Sequence, residues 1–403
     1  MSMFMIFQKW NFRAIFYMSM NPVIIKEKNL YKRFCQIKSL QEMSKSVAFE
    51  KITHGEELSY NDGLDLINNE NLFLLGSLAN TLKLRAKGNR ITFVSSYYLN
   101  YTNICAASCP LCAFYRKEKD EDSYTLTSEQ ILSRAKIAIC DMGATELHIV
   151  GGFHPRLGIE YYEKMIRTIK SEFPLVTIKA LTPAEIFFIS KLTKNSIKEI
   201  LCRLKDAGLD ALPGGGAEIF HEKVRNILIR GKCTGDEWLD TARTAHELGI
   251  KSNCTMLFGH IEKPEHIIDH LLKVRELNKK TNGFITFIPL KFSLDNTELE
   301  QKGLIKTESS SIYDLKIIAI SRLMLHGILN NISVYWVALG KKLAQVALSF
   351  GGNDLVGTAF SEEIFRAAGK TAGTSIKELA MLIREINCIP EQRDTFFNTL
   401  RQF

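Results

Sequence analysis

Three cysteines fall within eight residues of one another, as Cys105, Cys109 and Cys112 in the spacing Cys-x-x-x-Cys-x-x-Cys. Thiolates are soft ligands that suit both iron-sulfur clusters and zinc, so the ligand type alone leaves the metal open. The number of ligands is more informative, because a closed structural zinc site takes four and this loop supplies three. A cubane cluster held by three cysteines leaves one iron free for a ligand from outside the protein. The spacing therefore predicts a 4Fe-4S cluster with one open iron.

A zinc site completed by a histidine is the alternative. His154 follows the second predicted strand in the segment Gly151-Gly152-Phe153-His154, which places it at the same end of the sheet as the cysteines. Three thiolates and one imidazole form a known kind of structural zinc site. Acid-labile sulfide in the anaerobically purified protein distinguishes a cluster from zinc.

The elements that must position these residues alternate along the chain. Stretches rich in β-branched and aromatic residues recur between stretches with helical periodicity. We predict eight strands, near residues 91–95, 146–150, 176–180, 209–212, 251–257, 284–288, 332–336 and 354–356. Eight strand-helix units favour an α/β fold, a closed (β/α)8 barrel of the TIM type. The loops after the strands carry the chemistry in such a barrel, and the cysteines follow the first strand.

The barrel is expected to span residues 89–373, with a short helical extension on each side. A capping box at Ser59 and Asp62 begins a helical prelude over residues 46–88, and residues 374–403 are predicted as a C-terminal helical extension. Residues 1–45 form a leader that is apolar but interrupted by polar residues. We interpret the leader as a surface helix, a targeting segment or sequence upstream of a start at Met43, and favour the last.

Composition excludes several classes of protein. The net charge is +8, but the first 48 residues carry eight Lys or Arg and two Glu, so most of the excess is local. The rest of the chain is nearly neutral, which argues against nucleic-acid binding. No stretch has the length and apolar character of a transmembrane helix, so we expect a cytoplasmic protein. The six other cysteines are scattered through regular elements and are interpreted as buried or incidental.

Loops after the second and third strands offer candidate ligand-binding residues. Gly151 and Gly152 directly follow a strand, where missing side chains let the backbone approach a ligand or simply allow a turn. Thr182 and Glu185 follow the next strand. Glu185 is interpreted either as a ligand of ribose hydroxyls or as a helix cap.

Candidate catalytic residues follow the fourth and fifth strands. Glu218 ends the segment Pro-Gly-Gly-Gly-Ala-Glu, which lacks the Gly-Lys-Ser/Thr of a phosphate-binding loop. Its carboxylate is interpreted as a proton-transfer group, a hydroxyl ligand or a structural cap. His260 and Glu262 close the fifth strand and are the other two candidates. His148 lies in the middle of a strand and is interpreted as a core residue.

The cysteine spacing after a first strand resembles the signature of the radical S-adenosylmethionine (SAM) superfamily. The resemblance implies that Cys105, Cys109 and Cys112 ligate a 4Fe-4S cluster whose fourth iron binds SAM. It also implies that Gly151 and Gly152 meet the methionine end of SAM. The residue before the third cysteine is often aromatic in this superfamily, whereas it is Leu111 here. Phe114 is expected to supply the aromatic side chain near the adenine instead.

A narrower resemblance rests on segments 208–220 and 252–262, with Trp238, Arg243 and His246 between them. These residues are similar to the futalosine-pathway enzymes of menaquinone biosynthesis, over about residues 58–373. Segments 179–182 and 287–290 resemble the aminofutalosine synthase group more than its relative, dehypoxanthine futalosine cyclase. The cyclase remains the alternative within the superfamily, and a non-enzymatic iron-sulfur or zinc protein is the alternative from another class.

The resemblance implies a transferase reaction and its partners. The 5′-deoxyadenosyl radical adds to the enol-ether double bond of 3-[(1-carboxyvinyl)oxy]benzoate, and loss of a carboxylate gives 6-amino-6-deoxyfutalosine. An electron donor such as a flavodoxin or ferredoxin is implied as a partner. The aryl substrate needs an apolar wall, for which Phe153, Phe258 and Phe292 are candidates, and its two carboxylates need a cationic or backbone-amide anchor.

Overall fold

The computed structural model describes residues 47–403, so the predictions for the leader lie outside the described residues. Three helices precede the first strand: α1 (Val47–His54), α2 (Tyr60–Ile67) and α3 (Leu72–Lys87). The predicted capping box begins α2, where Ser59 Oγ accepts the N–H of Asp62 and the Asp62 carboxylate accepts the N–H of Ser59. The helical prelude is therefore present.

Six parallel strands form the larger sheet, in the order β2-β3-β4-β5-β6-β7. Their bounds are β2 (Ser96–Asn100), β3 (Glu146–Val150), β4 (Thr177–Ala180), β5 (Ala211–Leu212), β6 (Lys251–Phe258) and β7 (Phe284–Lys291). The predicted first strand at 91–95 corresponds to β1 (Arg90–Val94), but β1 does not pair with β3. The neighbour of β3 is β2, with Tyr98 opposite His148, and the sequence analysis missed this strand.

Short backbone contacts continue this sheet toward a closed barrel. Ser333 donates its N–H to Phe287 O at 2.9 Å, and Val334 donates its N–H to Asp354 O at 2.7 Å. β8 (Asp354–Gly357) pairs with β1, and just beyond it Tyr98 donates its N–H to Phe360 O at 2.8 Å. The predicted strand at 332–336 is thus reduced to isolated bridges, because a helix begins at Trp336. The fold is the expected α/β barrel, with its seventh position only weakly formed.

Helices follow most of the strands, as strand-helix alternation predicts. They are α4 (Ser128–Lys136, continued by a π-helical turn, Ile137–Asp141), α5 (Ile159–Glu172), α6 (Pro183–Thr193), α7 (Ile197–Ala207), α8 (Glu222–Leu228), α9 (Gly235–Glu247), α10 (Pro264–Thr281), α11 (Glu298–Gln301), α12 (Ser311–Leu325), α13 (Trp336–Leu339), α14 (Lys341–Ala347, followed by a 3-10 turn, Leu348–Phe350), α15 (Ile364–Ala367) and α16 (Ile376–Glu385). In β3, Leu147 and Ile149 pack outward in the same buried cluster as α5, so the alternate residues face the barrel interior.

The C-terminal segment is only partly the helical extension that the sequence predicted. Helix α16 is followed by two strands, β9 (Ile389–Arg393) and β10 (Thr399–Gln402), which extend a second sheet in the order β10-β9-β1-β8. Arg393 reaches Asp354 with two hydrogen bonds of 2.6 and 3.0 Å, and Thr395 Oγ1 donates to Glu146 Oε2 at 2.7 Å. The C-terminal hairpin therefore reaches the first residues of β8 and β3, at the barrel end opposite the functional loops.

Within residues 47–403, no helix combines the length and the apolar character needed to cross a membrane.

Candidate active site

A cavity of about 270 Å³ lies at the C-terminal ends of the barrel strands. Its wall includes most of the predicted site residues: Cys105, Cys109, Cys112, Phe114, Gly151, Gly152, Thr182, Glu185 and Glu218. His260 and Glu262 do not line it. The loops after β2 through β5 therefore meet at one place, as parallel strands in a barrel require.

The three-cysteine loop wraps around one side of this cavity. Cys109 is buried, and its Sγ accepts the N–H of Arg230 at 3.4 Å. The N–H of Cys112 bonds to Cys109 O at 3.0 Å, and Ser108 between the cysteines has a left-handed φ of 47°. The N–H of Ala106 bonds to Phe153 O at 2.9 Å, which joins the loop to the segment after β3. This tight turn brings three thiols to one surface.

Burial raises the pKa of the Cys109 thiol and raises that of Cys112 to about 11, while the positive charge of Lys232 opposes the shift at both. A thiolate is the form that binds a metal, and a bound metal deprotonates a coordinating thiol. The three cysteines form no disulfide. They are therefore available as ligands, and a metal centre would hold them as thiolates.

The zinc alternative needs a fourth protein ligand beside the three cysteines. His154, the candidate for that ligand, does not line the cavity, and its Nδ1 accepts the N–H of Arg156 at 3.1 Å. The cavity wall therefore holds the three cysteines without this histidine, and three is the number of protein ligands that a cluster with one open iron takes.

The glycine pair after β3 lies against the start of the cysteine loop. A Cβ added at Gly152 would collide with the backbone carbonyl of Ile104 and lie 3.0 Å from Cys105 Cβ. A Cβ added at Gly151 would lie 2.8 Å from the ring of Tyr101. Both positions exclude a side chain, because the two loops pack backbone to backbone.

Glu185 lies in the first turn of helix α6, and its carboxyl group also hydrogen-bonds to the first glycine of the pair after β3. Its Oε2 accepts the N–H of Thr182 at 2.8 Å, and Thr182 Oγ1 accepts the N–H of Glu185 at 3.1 Å, which completes a capping box. Oε1 accepts Tyr101 Oη–H at 2.8 Å and the N–H of Gly151 at 3.1 Å. Burial raises the pKa of Glu185. The carboxyl group thus connects the loops after β2, β3 and β4.

Glu218 is paired with Lys232 in the cavity wall. Lys232 Nζ donates to Glu218 Oε1 at 2.9 Å, and both side chains are mostly buried. Burial alone would raise the pKa of Glu218, but the charge and hydrogen bond of Lys232 outweigh it and lower the pKa. Glu218 is therefore a fixed carboxylate. The sequence analysis did not single out Lys232.

His260 and Glu262 form a closed turn away from the cavity. Glu262 accepts the N–H groups of Gly259 and His260 at 2.6 and 2.8 Å and the hydroxyl of Tyr313 at 2.9 Å. His260 Nδ1 lies 2.9 Å from Glu262 Oε2, and its Nε2 lies 3.0 Å from Leu257 O. These contacts lower the pKa of Glu262 to about 2 despite its burial. The polar atoms of both residues make hydrogen bonds within the turn after β6. The structure therefore does not bring His260 and Glu262 to the candidate site.

Comparison with known proteins identifies the family. The model of the radical SAM superfamily matches residues 99–274, and the model of the CofH/MqnC C-terminal region matches residues 281–402. The chain is 40% identical to the aminodeoxyfutalosine synthase of Thermus thermophilus over 87% of its own length and 95% of that relative.

This chain belongs to the radical SAM superfamily.

One further relative of this radical SAM enzyme and one protein of similar fold extend the comparison. The chain is 42% identical to the 5-amino-6-(D-ribitylamino)uracil–L-tyrosine 4-hydroxyphenyl transferase of Methanothermobacter thermautotrophicus, over 78% of this chain and 86% of that one. The FeFe-hydrogenase maturase HydG of Carboxydothermus hydrogenoformans has a similar fold, with a TM-score of 0.69 at 19% identity, covering 96% of this chain and 86% of that one. As a member of the superfamily, the enzyme uses a 4Fe-4S cluster and SAM.

The sequence analysis missed a polar group in the wall of this radical SAM cavity. His148, interpreted as a core residue, lines the cavity and stacks on Tyr98 with ring centroids 4.3 Å apart. Burial lowers the pKa of His148 to about 3, so its imidazole is neutral. His148 faces the barrel interior because alternate residues of β3 do so, and its ring therefore belongs both to the packed interior and to the cavity wall.

Other missed residues come from the loops near the end of the barrel. Tyr335, Glu362 and Ser293 line the cavity. Glu362 is 1% exposed and accepts the N–H groups of Ile364 and Phe365 at 3.1 and 2.8 Å. Burial raises its pKa to about 7. No motif marks these positions in the sequence, and only the closure of the barrel brings them to the cysteine loop.

Proposed function

We propose that this radical SAM enzyme is an aminodeoxyfutalosine synthase of menaquinone biosynthesis. It would join the 5′-deoxyadenosyl group of SAM to 3-[(1-carboxyvinyl)oxy]benzoate. Water is consumed, methionine and bicarbonate are released, and 6-amino-6-deoxyfutalosine is formed. The observation that carries the proposal is the 40% identity to the Thermus thermophilus synthase across 95% of that protein.

We propose Cys105, Cys109 and Cys112 as the three ligands of the cluster. When bound, the reduced cluster supplies one electron to the sulfonium of SAM, which yields methionine and the 5′-deoxyadenosyl radical. All three thiols share one wall of the cavity, and the geometry does not place His154 with them. A flavodoxin or ferredoxin would deliver the electron.

The neighbouring loops would position SAM. The backbone of Gly151 and Gly152 is proposed to meet the methionine end, because side chains are excluded there and Glu185 orients the Gly151 amide. We also assign Thr182 and Glu185 to the SAM-binding site. Glu185 would act chiefly by hydrogen-bonding to the segments after β2, β3 and β4. Phe114 lines the cavity beyond Cys112 and is proposed to pack on the adenine.

Aromatic side chains of the cavity wall would bind the aryl substrate. Phe153 and Phe292 line the cavity as the proposal needs, and Phe153 stacks on Phe188 with ring centroids 4.9 Å apart. Phe258 is buried but does not line the cavity, so it is not part of this wall. An apolar wall positions the double bond against the radical carbon and keeps away groups with weak C–H or S–H bonds that would quench it.

The archaeal transferase is a second candidate function, because the chain is 42% identical to the Methanothermobacter relative. That function would use L-tyrosine and 5-amino-6-(D-ribitylamino)uracil as substrates. Dehypoxanthine futalosine cyclase remains a third candidate; it would use the radical to abstract hydrogen and would release free 5′-deoxyadenosine.

Product analysis separates these candidates. The reconstituted, reduced enzyme is incubated with SAM labelled in its adenosyl group and with each set of substrates in turn. A synthase places the label in 6-amino-6-deoxyfutalosine when the enol ether is supplied. Release of all the label as 5′-deoxyadenosine, or a hydroxyphenyl adduct formed only with tyrosine and the uracil, would reject the proposal. Failure to cleave SAM at all would favour a non-enzymatic iron-sulfur protein.

A further inference from the structure

Most polar side chains of the cavity wall already have partners within the protein. Lys232 is paired with Glu218, and Lys291 Nζ lies 2.9 Å from Asp314 Oδ2. Thr255 Oγ1 donates to Gly214 O at 2.6 Å. No arginine of residues 47–403 lines the cavity. We expected a cationic or backbone-amide anchor for the two substrate carboxylates, and among the described residues of the wall the two lysines are already paired with acids.

Among the described residues of this wall, Ser293 is the one whose side-chain polar atom is fully buried without a hydrogen-bond partner. It is 6% exposed, and its Oγ is buried without any hydrogen-bond partner. A buried hydroxyl that lacks a partner costs about 1–3 kcal/mol, so such a group in a cavity is suited to a ligand atom. Ser293 follows Phe292 at the C-terminal end of β7, which places the free hydroxyl beside the aromatic wall.

The charges around Ser293 do not exclude an anion. Lys291, two residues earlier, belongs to a balanced group of two lysines and two acids, because Lys370 Nζ lies 2.6 Å from Glu308 and Lys291 lies 3.5 Å from the same carboxylate. The loop that contains Ser293 is hydrogen-bonded to the segment after Glu362, because Asn296 Nδ2 donates to Ala367 O at 2.9 Å. Glu362 is a buried acid whose pKa is raised by burial, and it therefore carries a full negative charge only above neutral pH.

We propose that Ser293 is a specificity-determining residue whose hydroxyl donates a hydrogen bond to a carboxylate of the substrate. This inference rests on the proposed synthase function, because the enol-ether substrate carries two carboxylates and the cavity offers few other free donors. A serine hydroxyl binds an anion without the desolvation cost of a second buried charge. The hydrogen bond from Ser293 is stronger to a charged carboxylate than to a neutral amide, so it contributes to a preference for the diacid.

The test compares Ser293→Ala with two other variants. Ser293→Thr keeps a hydroxyl at the site. Ser95→Ala is the matched control, because Ser95 Oγ is also buried without a partner, whereas Ser95 does not line the cavity. KM and kcat for 3-[(1-carboxyvinyl)oxy]benzoate are measured with the anaerobic holoenzyme, and its binding in the presence of SAM is measured by equilibrium dialysis. The two monoamide analogues of the substrate are measured in the same way.

We expect Ser293→Ala to raise KM and the dissociation constant about tenfold to a hundredfold, the loss of one hydrogen bond to a charged group. It should also bind one of the two amides as well as it binds the diacid. Ser293→Thr should restore much of the affinity, and Ser95→Ala should change neither constant. Cleavage of SAM without substrate should be equal in all variants, which would show an intact cluster.

Two results would overturn the inference in distinguishable ways. If the parent enzyme makes the adduct but Ser293→Ala keeps the parent KM and the parent preference for the diacid, Ser293 is not the contact and the synthase function stands. If the parent neither binds nor converts the enol ether, the proposed function fails and the inference fails with it.

Discussion

Lys232 Nζ lies 2.9 Å from Glu218 Oε1, and this ion pair joins the two ends of the segment that carries helix α8. Glu218 has a left-handed φ of 47°, so the pair also holds an unfavourable backbone conformation in the cavity wall. The charge of Lys232 also acts on the thiols of Cys109 and Cys112. The pair therefore supports both the shape of the wall and the electrostatics of the cysteine loop.

Replacing one partner of this ion pair should lower the free energy of unfolding more than replacing both partners. Lys232→Met leaves the Glu218 carboxylate buried without a counter-charge, and we expect a loss of about 3 kcal/mol in the free energy of unfolding. The double variant Lys232→Met, Glu218→Met should recover a large part of that loss. Urea unfolding of the anaerobic holoprotein measures both. Equal losses in the single and double variants would contradict the ion pair as the source of the effect.

Each of Cys105, Cys109 and Cys112 should be essential for the cluster. Replacing any one of them with alanine leaves at most two thiols in the loop, and we expect iron content and SAM cleavage to fall at least tenfold. Cys140→Ala and Cys202→Ala are the controls, because neither residue lines the cavity. Iron and acid-labile sulfide are measured after anaerobic reconstitution. An alanine variant of the loop that keeps full iron content would remove that residue from the ligand set.

The sequence predicts the barrel and the cysteine loop well because both have local signals. Strand and helix periodicity locates β3, β6 and most of the helices within a few residues. The boundary at Val94–Ser96 was missed because only Ser95 and Ser96 separate two stretches of β-branched, aromatic and other apolar residues, although these divide between two sheets. The strands β9 and β10 were missed for a different reason: they form only by pairing with β1 and with each other.

The candidate site was predictable only where its residues are close in sequence. His260 and Glu262 were predicted as catalytic residues because they are titratable and follow a strand. Their side chains instead hydrogen-bond within their own turn. Ser293 and Glu362 carry no motif, and their place in the cavity depends on the packing of the loops after β7 and β8. Local sequence patterns do not show which distant loops come together when the barrel closes.

A side chain at Gly152 should disturb the cysteine loop. In Gly152→Ala the new Cβ collides with the Ile104 carbonyl, a backbone atom that cannot rotate away, so the loop must shift. We expect a loss of about 2 kcal/mol in stability and at least a tenfold loss of SAM cleavage. Gly158→Ala is the control, because its Cβ would meet only the flexible Glu160 side chain. Normal cleavage by Gly152→Ala would mean that this close packing is not needed.

Glu362→Gln should make the protein more stable, and increasingly so as pH rises. Burial raises the folded-state pKa of Glu362 to about 7 from 4.5, so the folded state binds this proton more tightly than the unfolded state. The stability that the protonated group contributes is complete below pH 4.5 and is lost as pH rises toward 7. Glutamine resembles the protonated acid and avoids that loss. The stability difference between variant and parent should grow by about 2 kcal/mol between pH 5.5 and 8.5.

Urea unfolding of the anaerobic holoprotein across this pH range measures the Glu362→Gln effect. Glu160→Gln is the control, because a backbone hydrogen bond and Arg203 lower the pKa of exposed Glu160 from its usual 4.5. The stability difference between this variant and the parent should therefore stay nearly constant from pH 5.5 to 8.5, where that carboxyl is ionised in both the folded and the unfolded state. A Glu362→Gln difference that stays flat from pH 5.5 to 8.5 would show that the Glu362 carboxyl ionises in the folded protein as it does in the unfolded chain.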